Sequence, residues 1–457
     1  MAFRTVTFYG VLALAALSGC GHEAPGESNK AIATATSASA QSAAPAQAPQ
    51  ATNAAAAPGA SASSARPAAG PLEPMNVILL VVDAMRDDMP WNGYARPIAP
   101  NLTKLHEKSV SWERGYSISS FTAKSVGGLL SGHYPSSLKR NTPFFTTWKL
   151  KNDFFAEALQ KQHVRTIGAH AHMYFKEAAG FHQGFDVWEL VPKIEWDFDK
   201  DPYITGPDHA KLIINQLSRP ENVSGRFFAY YHFMDPHHDY NSHEEAPHWG
   251  KKNRDRYDEE MWFTDVQVQK VLDFVASQPW GKRTAIIVTG DHGEAFGEHD
   301  LLKHAFEVYE VLVKVPLFVY VPGLQAKRIP RWRSHIDLAP TIFELLGAPK
   351  QDDLPGTSLV PEITGEPAAQ RPIVCDLPAD VLNVRHRAVI DEQGYKLIAF
   401  GKDVRYELYN VREDPEEKVN LFKTDRARAD AMVKRYKEIS KGIPFVKAEG
   451  GKPVKSD

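Results

Sequence analysis

The sequence predicts an α/β fold built on a mostly parallel, doubly wound sheet. Two observations carry the prediction. Short, wholly apolar runs rich in β-branched residues recur along the chain, and amphipathic helical stretches lie between them. A third observation locates the chemistry: several of the runs end in Asp or His, and sheets of this kind place their sites at the carboxyl ends of the strands.

Composition sets the frame. The chain has 457 residues, 43% apolar and 24% charged, with a formal net charge of -3. That balance is globular and argues against disorder over the whole length and against a polybasic nucleic-acid binder. The length allows up to about three domains, or one large α/β unit with an appendage. Two cysteines, Cys20 and Cys375, exclude a disulfide scaffold and an all-thiolate zinc site. Eighteen histidines leave imidazole and carboxylate metal sites open.

The elements follow in chain order. Residues 1–20 read as an export signal, with Arg4 ahead of the apolar VTFYGVLALAAL and an ending at Leu17-Ser18-Gly19-Cys20. That ending resembles the lipobox of bacterial lipoproteins. The resemblance implies a lipidated Cys20 as new N-terminus, a membrane anchor, and a place in the bacterial cell envelope. Residues 21–73 are rich in Ala, Ser, Pro, Gln and Gly without hydrophobic periodicity, which reads as a disordered tether. As a flexible coil it would reach about 40 Å.

From residue 74 the texture is globular. NVILLVV (76–82) is apolar throughout and ends at Asp83, as expected of a strand covered on both faces. VRTIGA (164–169), RFFAYYHF (226–233), TAIIVTG (284–290) and VPLFVYV (315–321) are similar runs. Helical patterns intervene at NLTKLHEKSV, DFFAEALQK, DHAKLIINQL and DEEMWFTDVQVQKVLDFVASQ. Residues 74–368 are the expected catalytic domain and 369–457 a C-terminal subdomain. Cys375 is expected to be buried and inert.

Three polar clusters stand at strand ends: Asp83, then Asp235-Pro236-His237-His238, then Asp291-His292-Gly293-Glu294. Any one of them alone reads equally as a helix cap. Together they offer an Asp, Asp and His set for one divalent ion such as Zn, Mg, Ca or Mn. SISSFTAKSVGGLLSGHYP offers a nucleophile, because its small and hydroxyl residues lead into a helix whose first turn holds Thr122. Helix N-terminal amides and a cation both favour an alkoxide there. Taken alone, Thr122 is a helix cap.

Set in order, NVILLVVDAMRDD, GYARPIAPNLTKLHEKSVSWERGYS, TAKSVGGLLSGHYP, DPHHDY, TGDHGEAFGEHDLLKH, VPLFVYVPG, HIDLAPTIFELLGAP and YELYNVREDPEEKVNL resemble the sulfatase branch of the alkaline phosphatase superfamily. The match runs from about residue 75 to about residue 425. It implies an alkaline-phosphatase-like α/β/α sandwich with a small C-terminal α+β subdomain. It also places Asp83, Asp291 and His292 on metal ligands and Thr122 on the nucleophile. His237 and His304 fall where the family contacts the transferred anionic group or assists the leaving group. Lys303 is a weaker candidate for substrate binding, as are His238 and Glu294 for support.

The departures shape the expected chemistry. Usual sulfatases carry C/S-x-P-x-R, whose first residue becomes formylglycine, whereas this chain has Thr122-Ala-Lys-Ser-Val and no such pattern anywhere. Threonine cannot become formylglycine. The paired acidic residues after the first strand are reduced to Asp83-Ala84, and Gly-Lys-Trp-His has become Gly168-Ala169-His170-Ala171-His172. With one oxygen ligand and one lysine gone, zinc or manganese is favoured over calcium. A two-metal site would draw on Asp235, His237 and His304, but the family's Asp-x-x-x-His spacing is absent. One metal is therefore expected, with a second as the alternative.

TAKSV is similar to the threonine-bearing loops of phosphoethanolamine and glycerol-phosphate transferases. The sequence reading is therefore a metal-dependent hydrolase or transferase that cleaves a small phosphate ester through Thr122. Two other readings stand beside it: a sulfatase working without formylglycine, and a non-catalytic, anion-binding lipoprotein.

Overall fold

The strand β1 (Asn76–Val82) is buried along its whole length, and its side chains alternate between two cores. Val77, Leu79 and Val81 enter one apolar layer, and Ile78, Leu80 and Val82 the other. Alternation is the pleat's own period, so an all-apolar strand requires cover on both faces. The computed structural model describes residues 72–142, 146–194, 204–237, 239–381 and 383–450. The signal segment with Cys20, and the tether up to residue 71, lie outside them.

The main sheet adds β2 (Val110–Tyr116), β3 (Arg165–His170), β4 (Val187–Leu190), β5 (Phe227–Phe233), β6 (Thr284–Gly290), β7 (Lys314–Val315), β8 (Leu317–Tyr320) and β9 (Lys327–Ser334). Its order is β7-β2-β8-β6-β1-β5-β3-β4, with β9 also paired to β2. The central strands β6, β1, β5, β3 and β4 are parallel, whereas β8 runs antiparallel to both neighbours. On one face pack α2 (Thr122–Ser131), α3 (Phe155–Lys161) and α6 (Leu338–Leu345), through Val126, Leu129, Phe155, Leu159, Ile342 and Phe343. The other face carries α1 (Pro100–His106), α4 (Gly206–Ser218) and α5 (Asn253–Ser277), through Leu102, Ile213, Tyr257, Met261 and Val268. This is the expected α/β/α sandwich.

One helical reading is corrected. NLTKLHEKSV is not helical to its end: α1 stops at His106, and Val110 already begins β2. Leu102 and Leu105 hold the helical spacing, but beyond them the chain turns so that Val110, Trp112 and Tyr116 enter the sheet, buried. Tertiary pairing decides such a boundary.

A second, antiparallel sheet follows in the order β10 (Ile373–Leu377), β11 (His386–Ile390), β12 (Tyr395–Phe400) and β13 (Arg405–Asn410). One of its faces takes Ala429, Met432 and Tyr436 of α7 (Arg426–Lys441), while Cys375, Ala388 and Ile398 join the core of the larger unit. Cys375 is fully buried, and burial pushes its thiol up to about 12. No helix among the described residues is long and apolar enough to cross a membrane.

The small sheet also grips α2. Lys124 Nζ lies 2.6 Å from Asp380 Oδ2 and donates to Asn383 Oδ1, with both charged partners buried. Farther along, Asp376 accepts from Ser136 N at 2.7 Å and pairs with Arg387 at 2.9 Å. Burial brings the Lys124 ammonium down to about 8, although Asp380 opposes the change. Lys124→Met would leave Asp380 buried without its cation and should cost about 3–5 kcal/mol in denaturant unfolding. The double change Lys124→Met with Asp380→Leu should recover much of that loss.

Candidate active site

The site follows from strand register. Val82 of β1 is paired with Phe233 of β5 and Gly290 of β6, so the next residues emerge side by side at the carboxyl edge. Those residues are Asp83 and Asp291, both fully buried, and His292 comes next. One potential ligand atom from each of Asp83, Asp291 and His292 lies within 4.8 Å of the other two, the one such group found among the described residues.

Each side chain is fixed from behind. Asp291 Oδ1 accepts from Ala84 N at 3.2 Å and from His292 N at 2.9 Å. Ala84 has φ 54, in the left-handed region, and the Tyr257 hydroxyl braces this turn by donating to Ala84 O at 2.9 Å and accepting from Arg86 N at 3.0 Å. A Cβ on Gly293 would stand 2.1 Å from Val311 O, so only glycine lets the chain pass there. His292 Nδ1 lies 2.9 Å from Gly293 O, and a carbonyl can only accept, so Nδ1 carries the proton and Nε2 presents a lone pair. Burial pushes the His292 pKa down to about 3, and the neighbouring His304 adds to the effect. The ring is therefore a neutral ligand.

Thr122 completes the cluster. Its side chain is buried at the first position of α2, where Phe121 occupies the cap and contributes no side-chain hydrogen bond. Thr122 Oγ is 3.0 Å from His292 Nε2 and 3.3 Å from Asp83 Oδ2. Ser125 Oγ, in the same turn, donates to Asp291 O at 2.6 Å and ties the helix to the strand end. Thr122 is thus no cap: its hydroxyl faces the carboxylates.

These residues fit a divalent cation. Asp83 Oδ1 and Asp291 Oδ2 are buried and accept no hydrogen bond. The single Thr122 hydrogen cannot satisfy both of its acceptors, so the pocket holds more lone pairs than protons. Burial raises the Asp291 carboxyl well above its usual range, with the Asp83 charge next in weight. Burial also works against Asp83, but the His232 hydrogen bond and the surrounding imidazoles hold it well below the normal carboxylate value. Two carboxylates sharing a dry site without a counter-ion oppose one another's ionisation.

A ring of histidines surrounds this centre. The His304 ring centroid is 4.2 Å from that of His292 and 5.1 Å from that of His237. His304 Nδ1 is 3.2 Å from Glu294 Oε2, so Glu294 orients this imidazole. Burial works against Glu294 ionising, yet the His304 charge and hydrogen bond keep it below its usual range. His237 is also 6.2 Å, ring to ring, from His172.

Asp235 has partners of its own. Asp235 Oδ1 accepts from Thr205 N at 2.6 Å and Gly206 N at 3.1 Å, so this carboxylate caps α4 and does not join His237 and His304 around a second metal. Lys303 stands exposed on a short ribbon that pairs Ala295–Phe296 with Leu302–Lys303. His238 lies outside the described residues. The segment after Tyr240 docks on α5: Glu260 accepts from Asn241 N at 2.6 Å and Glu259 from Ser242 Oγ at 2.7 Å.

Sequence reasoning missed His232. Its Nε2 lies 3.1 Å from Asp83 Oδ2, and its Nδ1 lies 2.6 Å from the Tyr230 hydroxyl. If Tyr230 donates to Nδ1, Nε2–H donates to Asp83 and leaves Oδ1 for a cation. This is how imidazoles behind metal ligands work. The signal was present as a polar residue within an apolar strand three residues before Asp235, but it reads equally as a core histidine.

Residues 75–348 match the family model described as Sulfatase, more than half of the chain. The chain belongs to the sulfatase family. Residues 297–441 of this sulfatase-family chain also match the model described as N-sulphoglucosamine sulphohydrolase, C-terminal. Among curated relatives, a Delta 4,5-hexuronate-2-O-sulfatase of Bacteroides thetaiotaomicron is 25% identical over 190 residues, 39% of this chain and 40% of that one. The matched part therefore spans about two fifths of that relative's length, and less of others. Solved structures align more fully. A putative sulfatase of Bacteroides fragilis has TM-score 0.68 at 16% identity, covering 85% of this chain and 99% of that one. The phosphonate monoester hydrolase of Agrobacterium radiobacter has TM-score 0.66 at 16% identity, covering 80% and 95%. At such identity these two share the fold.

Because burial and the Asp83 charge raise the Asp291 carboxyl, and a divalent cation would offset both, loading the cation should favour release of a proton. Titration calorimetry in buffers of different ionisation enthalpy should show about one proton released per ion, and affinity should rise with pH.

Proposed function

We propose that this chain is a metal-dependent hydrolase of anionic esters in which Thr122 takes a phosphoryl group from a phosphate ester. The observation that carries the reading is the Thr122 hydroxyl, 3.0 Å from His292 Nε2 and 3.3 Å from Asp83 Oδ2, at the one acceptor-rich metal cluster among the described residues. A divalent cation bound by Asp83, Asp291 and His292 would supply the charge that favours the Thr122 alkoxide and the ester's non-bridging oxygens.

Thr122 Oγ forms a bond to phosphorus while the bond from phosphorus to the leaving oxygen breaks. The leaving alkoxide takes a proton from His304, whose Nδ1 is engaged by Glu294. His237, beside His304, is placed to hold the anion. Water then attacks phosphorus in the phosphothreonine and gives a proton to the same imidazole, and Thr122 leaves as the alkoxide that began the cycle. Threonine ester chemistry needs only in-line displacement at phosphorus and no aldehyde.

A second reading, sulfate-ester hydrolysis, is favoured by the name of the hexuronate sulfatase relative. Parallel assays of p-nitrophenyl phosphate, its diester and p-nitrophenyl sulfate separate the two. Thr122→Ala should lower phosphate turnover by roughly a thousandfold or more, Thr122→Ser should keep a measurable part, and quenched mixtures should contain phosphorylated Thr122. Sulfate turnover untouched by Thr122→Ala would sink the proposal, and tight metal with no turnover on any ester would favour an anion-binding role.

In the same reading Cys20 carries lipid and displays the folded unit from the cell envelope. Cys20→Ser should move the full-length protein from the membrane fraction to the soluble fraction, and an unchanged distribution would remove the anchor.

A further inference from the structure

A cavity of about 370 Å³ opens between α1 and the second half of α5, a volume within the range of small-molecule sites. It lies toward the amino end of β6, away from the catalytic residues. Ile286, which lines it, precedes Asp291 by five residues, or about 16 Å of extended strand.

The walls are held from several sides. Asp265 of α5 accepts from Asn101 N at 2.9 Å and from Leu102 N at 2.7 Å, which fastens the first turn of α1 to the middle of α5. Farther along α5, Leu272, Val275 and Ala276 line the cavity. A Cβ on Gly281 would stand 2.0 Å from Val275 O, so the turn Pro279–Arg283 lies against the end of α5 and brings Lys282 to the opening. Tyr320 of β8 is paired with Ile286 of β6, and both line the cavity.

The lining divides by chemistry. Val275 and Ile286 are buried and Leu105 and Leu272 half-buried, whereas Lys104, Lys108 and Lys282 are exposed. Among the described residues these three ammonium groups make no hydrogen bond or ion pair, and neither does the Tyr320 hydroxyl. Elsewhere surface lysines do find carboxylates: Lys149 lies 2.9 Å from Glu449 and Lys211 2.9 Å from Asp208. The one carboxylate of the lining, Asp273, accepts from Gln269 Nε2 at 2.6 Å. Positive charge is therefore in surplus at the mouth of an apolar hollow. An anion at the mouth relieves the repulsion between the lysines, and an apolar body inside displaces water from Leu105, Leu272 and Ile286. A bilayer lipid offers those parts in the reverse order, head first, and does not match this lining.

We propose that this cavity is a binding site, separate from the catalytic centre, for a soluble amphipathic anion. Its apolar chain enters between α1 and α5, and Lys104, Lys108 and Lys282 hold its anionic head. The site needs no turnover and stands apart from the reading of Thr122.

Calorimetry on the full chain tests it, with decanoate below its micelle concentration as the probe and acetate and decanol as its separate halves. Decanoate should bind once per chain, and each half should bind on the order of tenfold more weakly or less. Lys104→Gln with Lys282→Gln should lower decanoate affinity on the order of tenfold and reduce its salt dependence. Ala276→Phe, which fills the hollow and leaves the charge alone, should lower it as well. The same charge change on α7, Lys434→Gln with Lys437→Gln, should leave it unaltered. An affinity that survives both the lysine pair and Ala276→Phe, or that is lost with Thr122→Ala instead, would overturn the site. So would adsorption to phosphatidylglycerol vesicles with no binding of monomeric decanoate.

Discussion

Two buried carboxylates, Asp83 and Asp291, stand side by side because β1 and β6 run parallel in a register that ends both strands at the same level. Strands in a sheet are about 4.8 Å apart, so neighbouring strand ends deliver their side chains to a common point. In a dry site two such charges repel, and the protein leaves Asp83 Oδ1 and Asp291 Oδ2 without hydrogen-bond donors. That arrangement is costly unless a cation collects both, and the rest of the site is organised around it.

The position of Thr122 follows from ties that approach α2 from two directions. Ser125 binds the carbonyl of Asp291, and Lys124 is held by Asp380 and Asn383 of the C-terminal subdomain. A buried ion pair contributes little net stability, but it penalises a displaced partner heavily, which suits a register device. The small sheet thus contributes to the chemistry by fixing the turn from which Thr122 projects.

The imidazoles divide the remaining work by the partner each one finds. His292 gives its Nδ1 proton to a carbonyl and keeps Nε2 as a lone pair, His232 stands between Tyr230 and Asp83, and His304 turns its Nδ1 to Glu294. The nitrogen each ring presents is therefore set by the group behind it. His304 stands between Lys303 and Ala305, both of which have positive φ.

Much of this was legible in the chain. An apolar run such as NVILLVV can only be a strand covered on both faces, and helices between such runs make the sheet parallel; the α/β class is a matter of local pattern. Asp83, Asp291 and His292 were visible as polar residues following apolar strands. What the pattern could not supply was direction. Asp235 and His237 share one polar cluster, yet Asp235 turns to the amides of α4 while His237 joins His304. His232 looks like a core residue until β1 is laid beside it, and Lys124 looks like a surface charge until the small sheet closes over it. Sequence by itself determined which residues could carry the chemistry. Only the tertiary structure decided which ones meet, because hydrogen-bond partners are set by strand register and domain packing between residues far apart in the chain.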